Sequence, residues 1–457
     1  MSDRPQNLTP VVLVSLQLPK QTDEEIHDSL MELERLASTL GYRSVATIIQ
    51  ARQSDKTSSV LGEGKLVELA QLTGGTGQIA ATFQRKKSKA AEKFQVVKKS
   101  QDVVVSKNEV TPEILAELVI FDCDLSPSQL RNVESAVGVP VLDRTGVIIE
   151  IFSRHAKTKA AKLQIEIAQL NYSAPRMRES SGGSDRSGGG VGAKGVGETK
   201  GELDSRRIKD RIKELKSELD LIQIEQKQRR KRRAEENCVA LVGYTNAGKS
   251  SLMQVLTGSE VLAANQLFAT LDTTIRPLMP ETKPKILVSD TVGFIKKLPH
   301  DLVASFKTTL DEALNASILL LVVDASDPAF RSQLEVTRNV LRDMGADMIP
   351  AKIILNKTDL LTDEQQAEFK KEFPSGILIS TRNPKSITDL RDELVAFFEK
   401  DMIDGEIFVK YGSEKSIGEI RSLMRILKED YDNDGVHLKV RSNTNDLSRL
   451  KKKLGLL

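Results

Sequence analysis

The chain has no tryptophan, and aromatic residues make up only 4% of its 457 positions. Its cores must therefore be aliphatic, and a fold organised around stacked rings is excluded. Cysteine is almost absent: Cys123 and Cys238 stand far apart, which excludes a disulfide scaffold and implies a reducing compartment. The four histidines are scattered and give no metal-ligand spacing. No apolar run approaches the ~18 residues of a membrane span. The longest, "SILLLVVDA" (317–325), reads as a buried strand. The N-terminus lacks a basic start followed by a long apolar core, and Val11–Val14 reads as a strand. A large excess of one charge is missing too, with 67 Lys and Arg against 64 Asp and Glu, although the balance hides basic blocks. The expectation is a cytoplasmic protein with no stable membrane insertion.

What is present predicts several domains. Residues 1–157 alternate strand runs (11–18, 43–50, 117–122, 139–143) with helical patterns, as in a largely parallel α/β domain. Within it, "SPSQLRNVESAVG" opens with Ser126 as N-cap, Pro127 at the first helical position and Gln129 completing a capping box. The stretch 85–107 carries eight bases and two acids, and reads either as a solvated insertion or as a contact for RNA phosphates. Residues 158–235 carry two helical stripes, Ala160, Leu163, Ile167, Leu170 and Ile208, Ile212, Leu215, Leu219, Ile222, which predict a helical hairpin. Its tip, near 180–200, is rich in glycine, and Arg176, Arg178, Arg186 and Lys194 add positive charge; an ordinary flexible linker is the plainer alternative. The second helix runs into "KQRRKRR" (227–233), with six bases in seven residues, a density that marks contact with polyanions. Residues 236–400 form a second α/β unit, and 401–457 a small α+β domain.

The chemistry concentrates in the second α/β unit. "GYTNAGKS" runs Gly243, Tyr244, Thr245, Asn246, Ala247, Gly248, Lys249, Ser250, with Ser251 following, between a predicted strand and a helix. That is a P-loop: its backbone N–H groups cradle phosphates, Lys249 reaches the β- and γ-phosphates, and the Ser250 hydroxyl binds Mg²⁺. "DTVG" places Asp290, Thr291, Val292 and Gly293 at a strand end, with Asp290 near Mg²⁺ and the Gly293 N–H facing a γ-phosphate. In the best-studied small G proteins the next residue is a glutamine that orients water; here it is Phe294. "NKTD", Asn356, Lys357, Thr358 and Asp359, selects the base. The Asp359 carboxylate can accept from the guanine ring N–H and amino group, whereas adenine leaves it unpaired. Asn356 is expected to tie this loop to the P-loop, the Lys357 stem to cover the base, and Ser380 and Thr381, before Arg382, to offer N–H groups to guanine O6. "LFATLDTTIR" (267–276) lies where a mobile switch loop belongs, and Thr270 is the first choice as second Mg²⁺ ligand and γ-phosphate sensor, with Thr273 and Thr274 left open. Asn246 has two readings, a carbonyl ligand for K⁺ beside the phosphates or a hydrogen bond within the loop.

Segments outside these motifs extend the pattern. "FDCDLSPSQLRNVE", "VLDRTGVIIEIFSRHAKTKAAKLQIEIAQLNY", "VGAKGVGETKGELDSRRIKDRIKEL" and "LFATLD" resemble those of the HflX family of ribosome-associated GTPases. The resemblance implies a P-loop GTPase domain preceded by an α/β domain with a long helical hairpin and followed by a small C-terminal domain. It implies binding of GTP and GDP and of the large ribosomal subunit with its ribosomal RNA, in ribosome splitting, rescue under stress or subunit assembly. It assigns Mg²⁺ to Ser250 and Thr270. Nucleotide contacts fall to Phe268, Ala269, Thr270, Leu271 and Asp272 as well as the three motifs above. Catalysis rests on Lys249, Thr270 and Gly293, slow in the free protein because Phe294 cannot position water. No DNA partner is expected, and the free chain is expected to be a monomer. The chain departs from the usual family pattern at Thr381, where alanine is common, and at Thr273, where proline is common. The alternatives are an ATP-assisted RNA-remodelling enzyme, against which Asp359 weighs, and a scaffold with a degenerate nucleotide domain, against which Lys249, Ser250 and Asp359 weigh.

Overall fold

The computed structural model describes residues 8–19, 21–79, 115–181, 200–233, 237–258, 267–268, 273–297, 314–400, 402–411, 417–418, 420–421 and 424–453. The basic insertion at 85–107, the glycine-rich tip from 182 to 199, and Ala269, Thr270, Leu271 and Asp272 lie outside them. The chain divides into two compact units: residues Met1–Ile151 with Gln169–Asp210, and residues Phe152–Ala168 with Arg211–Leu457.

The first unit is built on a parallel sheet of order β2-β1-β3-β4, with β1 Thr9–Gln17, β2 Tyr42–Ala51, β3 Leu118–Phe121 and β4 Val141–Asp143. Helices α1 (Asp23–Thr39), α2 (Glu63–Thr73) and α3 (Pro127–Val137) connect them. The expected capping box opens α3: Ser126 Oγ accepts from Gln129 N at 3.3 Å and Gln129 Oε1 accepts from Ser126 N at 2.9 Å. Gln129 Nε2 also donates to the Asp55 and Thr57 carbonyls, fastening the loop after β2. The core is aliphatic, as the composition requires, around Val12, Val14, Leu69, Val119 and Val133.

Helices α4 (Arg144–His155), α5 (Lys159–Ser181) and α6 (Lys200–Arg233) follow. The ion pairs Lys159–Glu218 and Arg211–Glu166 set α5 against α6: 159 to 166 along one helix matches 218 to 211 along the other, so the two run antiparallel. Both pairs are exposed and contribute little stability. On α6 the expected stripe is the more sheltered face: Leu215 is fully buried, while Leu221 and Ile224, off the stripe, are 66% and 57% exposed. Helix α5 differs. Ala161, Gln164, Ile165 and Ala168 are buried along with Leu163 and Ile167, while Ala160 and Leu170 are only half-buried. It is enclosed on more than one side over 161–168, which erases the one-stripe contrast of an amphipathic helix.

The second unit carries a six-stranded sheet of order β10-β9-β8-β5-β7-β6. Its strands are β5 Asn237–Gly243, β6 Thr274–Pro277, β7 Ile286–Asp290, β8 Ile318–Asp324, β9 Ala351–Asn356 and β10 Ile377–Leu378. All neighbours are parallel except β6 and β7, an antiparallel pair in which Thr274 lies opposite Asp290. Helices α7 (Lys249–Thr257), α8 (Phe330–Asp343), α9 (Asp363–Glu372) and α10 (Pro384–Glu399) accompany it. Val239, Leu241, Leu252, Val288, Leu320, Ile354 and Leu394 form the main core. Because strands of a parallel sheet end on one edge, β5, β7, β8 and β9 deliver the P-loop, Asp290, Asp324 and Asn356 to a common rim.

A three-stranded antiparallel sheet of order β11-β13-β12, with β11 Ile403–Lys410, β12 Arg425–Tyr431 and β13 Gly435–Ser442, and helix α11 (Thr444–Lys453) complete the α+β end. Ile407, Val409, Val436, Leu438, Val440, Leu447 and Leu450 are its core.

Candidate functional site

The P-loop leaves β5 at Gly243 and enters α7 at Lys249. A Cβ on Gly243 would stand 2.1 Å from the Val322 carbonyl oxygen, so only glycine fits against β8. Gly248 has φ +92, and a Cβ there would meet Asn356 Nδ2 at 2.2 Å. That crowding exists because Asn356 Nδ2 donates to the Ala247 carbonyl at 3.0 Å, the tie expected from the sequence. Asn356 Oδ1 and Thr245 Oγ1 are buried acceptors with no partner among the described residues. Asn246 sits at φ 61 and is exposed.

Lys249 is buried, its Nζ donating to the carbonyls of Gly243 at 3.0 Å and Tyr244 at 2.6 Å. Burial pushes its ammonium down to about 8, against the opposing pull of the Asp290 charge. Ser250 Oγ donates to Asp290 Oδ2 at 2.8 Å. A hydroxyl and a carboxylate held together at a strand end are hard oxygen donors of the kind Mg²⁺ takes, and they fit that ion.

The Asp-x-x-Gly segment lies on the P-loop. Thr291 Oγ1 donates to the Leu241 carbonyl at 2.7 Å, and Val292 is buried. A Cβ on Gly293 would come within 3.0 Å of both Lys249 Nζ and Thr245 Cα. Phe294 is 2% exposed. Its N–H donates to Gly243 O at 3.1 Å and its carbonyl accepts from Thr245 N at 2.8 Å. Tyr244 Oη accepts from Lys296 N at 2.6 Å, a second fastening that no spacing in the sequence announces. Phe294 therefore serves as a buried anchor of this segment.

At the far end of the rim, Lys357 takes φ 62 and its Nζ pairs with Asp324 Oδ2 at 2.6 Å. Thr358 N donates to the Ile379 carbonyl at 3.2 Å. Asp359 accepts from Ser380 Oγ at 2.7 Å and from Arg382 Nη1 at 3.3 Å. The Ser380 hydroxyl and then the Arg382 guanidinium hold its carboxyl below the usual range. Ser380 and Thr381 are the residues expected to offer N–H groups to guanine O6. Ser380 N donates to Ser386 Oγ at 3.2 Å, since the first turn of α10 brings that hydroxyl over the loop. Thr381 N–H is the one without a protein acceptor among the described residues. Of the switch segment 267–276, residues 267–268 and 273–276 are described; Leu267 and Phe268 are buried, and Thr274 opens β6.

A sheet rim carrying a P-loop, an Asp-x-x-Gly turn and an Asn-Lys-x-Asp loop defines a P-loop GTPase. Family profiles described as "GTP-binding GTPase N-terminal", "GTP-binding GTPase Middle Region" and "50S ribosome-binding GTPase" match residues 27–153, 155–233 and 238–357. The chain is 52% identical over 445 residues to GTPase HflX of Gluconacetobacter diazotrophicus, covering 97% of each. It is 34% identical over 446 residues to GTPase HflX of Escherichia coli, covering 96% of this chain and 95% of that one. A crystal structure of a GTP-binding protein from Sulfolobus solfataricus in complex with GDP is similar at TM-score 0.42 and 23% identity, covering 85% of this chain and 99% of that one. The chain belongs to the HflX family of GTPases: it binds GTP and hydrolyses it to GDP and phosphate. No helix among the described residues is long and apolar enough to cross a membrane.

Proposed function

We propose that this GTPase is a nucleotide-driven switch that engages the large ribosomal subunit through ribosomal RNA, in ribosome splitting, rescue under stress or subunit assembly. The observation that carries the reading is the match of residues 238–357 to the 50S ribosome-binding GTPase profile. The antiparallel helices support it. At 1.5 Å per residue α6 spans about 50 Å, and it ends in the basic run 227–233. Residues 1–157, 158–235, 236–400 and 401–457 act as four functional parts, with the hairpin as a probe for a narrow RNA cavity.

In this reading Lys249 draws charge from the β- and γ-phosphates, and the Gly293 N–H meets the γ-phosphate. Ser250 and Thr270 hold Mg²⁺, which neutralises developing charge during phosphoryl transfer. Asp359 selects guanine, assisted by Asn356, Lys357 and the Ser380–Arg382 turn. Asn246, exposed on the P-loop, lends its side-chain carbonyl to K⁺ in this reading. Phe294 offers water no hydrogen bond, so the free protein turns over slowly and the ribosome completes the site by ordering the switch segments. The protein works in the cytoplasm, as a monomer when free, and needs no DNA.

The test is GTP turnover by the full chain with and without purified large subunits, alongside sedimentation of ribosomes with GTP, GDP or a non-hydrolysable analogue. Stimulated turnover and nucleotide-dependent co-sedimentation are expected. Unchanged turnover together with nucleotide-independent sedimentation overturns the proposal.

A further inference from the structure

Lys357 is held by a residue that none of the nucleotide motifs contains. It sits at φ 62, a left-handed backbone that a long side chain adopts only where its surroundings enforce it. Its ammonium pairs with Asp324 Oδ2 at 2.6 Å. Asp324 is the last residue of β8, in register beside Asn356 on β9. Its other oxygen, Oδ1, accepts from Ser326 N at 3.0 Å and from Ser326 Oγ at 2.5 Å. Ala325 N donates to the Asn356 carbonyl at 3.0 Å, which ties the two strand ends together. Both carboxylate oxygens are committed, so the direction in which the carboxylate faces is set. Only 14% of the Asp324 side chain and 26% of the Lys357 side chain are exposed, and solvent screens such a pair less than a surface one. All of these residues lie within a single compact unit.

We propose that Asp324 is a positioning residue for the guanine nucleotide: it holds the Lys357 ammonium, so that the lysine stem is laid out before the base arrives. The inference rests on the reading of Lys357 as the residue whose stem covers the base. The physical link is conformational entropy. A lysine side chain is long and flexible, and ordering it against a ligand subtracts from affinity. An ion pair formed in the free protein removes that loss from the binding step, which raises affinity without a new contact to the ligand. Ser326 extends the arrangement by one step, since its hydroxyl and N–H hold the carboxylate. Phosphoryl transfer belongs to the P-loop and the Asp-x-x-Gly turn and does not draw on this pair. Asp324 acts through Lys357, on how tightly the nucleotide is held and not on the reacting atoms.

The experiment compares full-length Asp324→Asn, Lys357→Met, the two combined, and Lys357→Ala, measuring kcat and KM for GTP and the affinities for GDP and IDP. Asp324→Asn keeps the shape and releases the ammonium; GDP affinity is expected to fall roughly tenfold and KM to rise, with kcat within about twofold. Lys357→Met has no charge for Asp324 to hold, so adding Asp324→Asn to it is expected to change affinity by less than about twofold. Lys357→Ala, which removes the stem, is expected to lose more than Asp324→Asn. IDP lacks the amino group that Asp359 reads, so the ratio of GDP to IDP affinity reports the placement of Asp359. That ratio is expected to survive in Asp324→Asn; its collapse would show that Asp324 supports the whole loop, and overturns the positioning role. Retained kcat certifies folding. If Asp324→Asn does not fold, Ser326→Ala decides, by a loss of affinity of roughly threefold in the same direction. Native GDP affinity in Asp324→Asn beside a weakened Lys357→Ala overturns the inference. Native affinity in Lys357→Ala refutes the reading of that lysine, and the inference with it.

Discussion

Asn356 Nδ2 donates to the Ala247 carbonyl across 3.0 Å, joining the Asn-Lys-x-Asp loop to the P-loop through one buried side chain. With the two loops in their proposed roles, base and phosphate recognition share a support. Asn356→Ala leaves the buried Ala247 carbonyl without its donor, a loss of about 1–3 kcal/mol. The expected outcome is a roughly 10- to 100-fold loss of affinity for GDP and GTP alike, measured by titration calorimetry. An effect on one nucleotide alone would contradict the shared support.

Asp359 is held ionised by the Ser380 hydroxyl and the Arg382 guanidinium. Asp359→Asn exchanges an acceptor for a donor opposite the guanine amino group. Affinity for GTP should fall at least about a hundredfold, while xanthosine triphosphate, which carries a carbonyl there, should bind better than GTP. Competition binding against a fluorescent guanine nucleotide checks the reversal.

Lys249 titrates near 8 in the free protein because it is buried, and bound phosphates restore its charge. At pH 8 nucleotide binding should take up about half a proton, read from calorimetry in buffers of different ionisation enthalpy. Affinity is full below that pH and declines as pH rises through it. The linkage to folding has the opposite sense. The folded-state value, about 8, lies below the ordinary 10.5, so the free protein gains stability as pH rises from about 8 towards 10.5.

Phe294 is buried and strapped by its main chain to Gly243 and Thr245. Phe294→Gln places an amide in that buried position rather than beside a water. The expected result is no gain in unstimulated turnover and a loss of about 1–3 kcal/mol in stability to urea. A clear acceleration by this single change would show that the position faces the γ-phosphate.

Asp143, at the end of β4, accepts from Leu125 N, Gly146 N, Tyr172 Oη and Arg176 Nη2, the last two at 2.6 and 2.8 Å. The Arg176 guanidinium also lies 3.2 Å over the Tyr172 ring. Asp143→Ala strands a half-buried cation and should cost roughly 3–5 kcal/mol. Tyr172→Phe, which removes one hydrogen bond, should cost about 1 kcal/mol. Denaturation followed by circular dichroism separates the two.

Much of this was legible in the sequence because its causes are local. The capping box at Ser126, the strands with their apolar runs and the glycines of the P-loop are set by neighbours within a few residues. The tie from Asn356 is expected from the Asn-Lys-x-Asp motif itself. The Asp143 network, the Ser386 hydroxyl on Ser380 N and the Asp324–Lys357 pair were not legible. Each joins residues from separate elements, and no periodicity records which strand end lies beside which helix. The stripe on α5 failed to foretell its burial for a related reason: enclosure from several sides leaves no polar face to mark the period.

Thr274 pairs with Asp290 across the antiparallel edge of the sheet. The strand that closes the Phe268 segment is thus stitched to the one whose last residue holds the Ser250 hydroxyl. Four rungs, Thr274 to Pro277 against Leu287 to Asp290, join the two strands, so a displacement of β6 is carried directly to the carboxylate that accepts from Ser250.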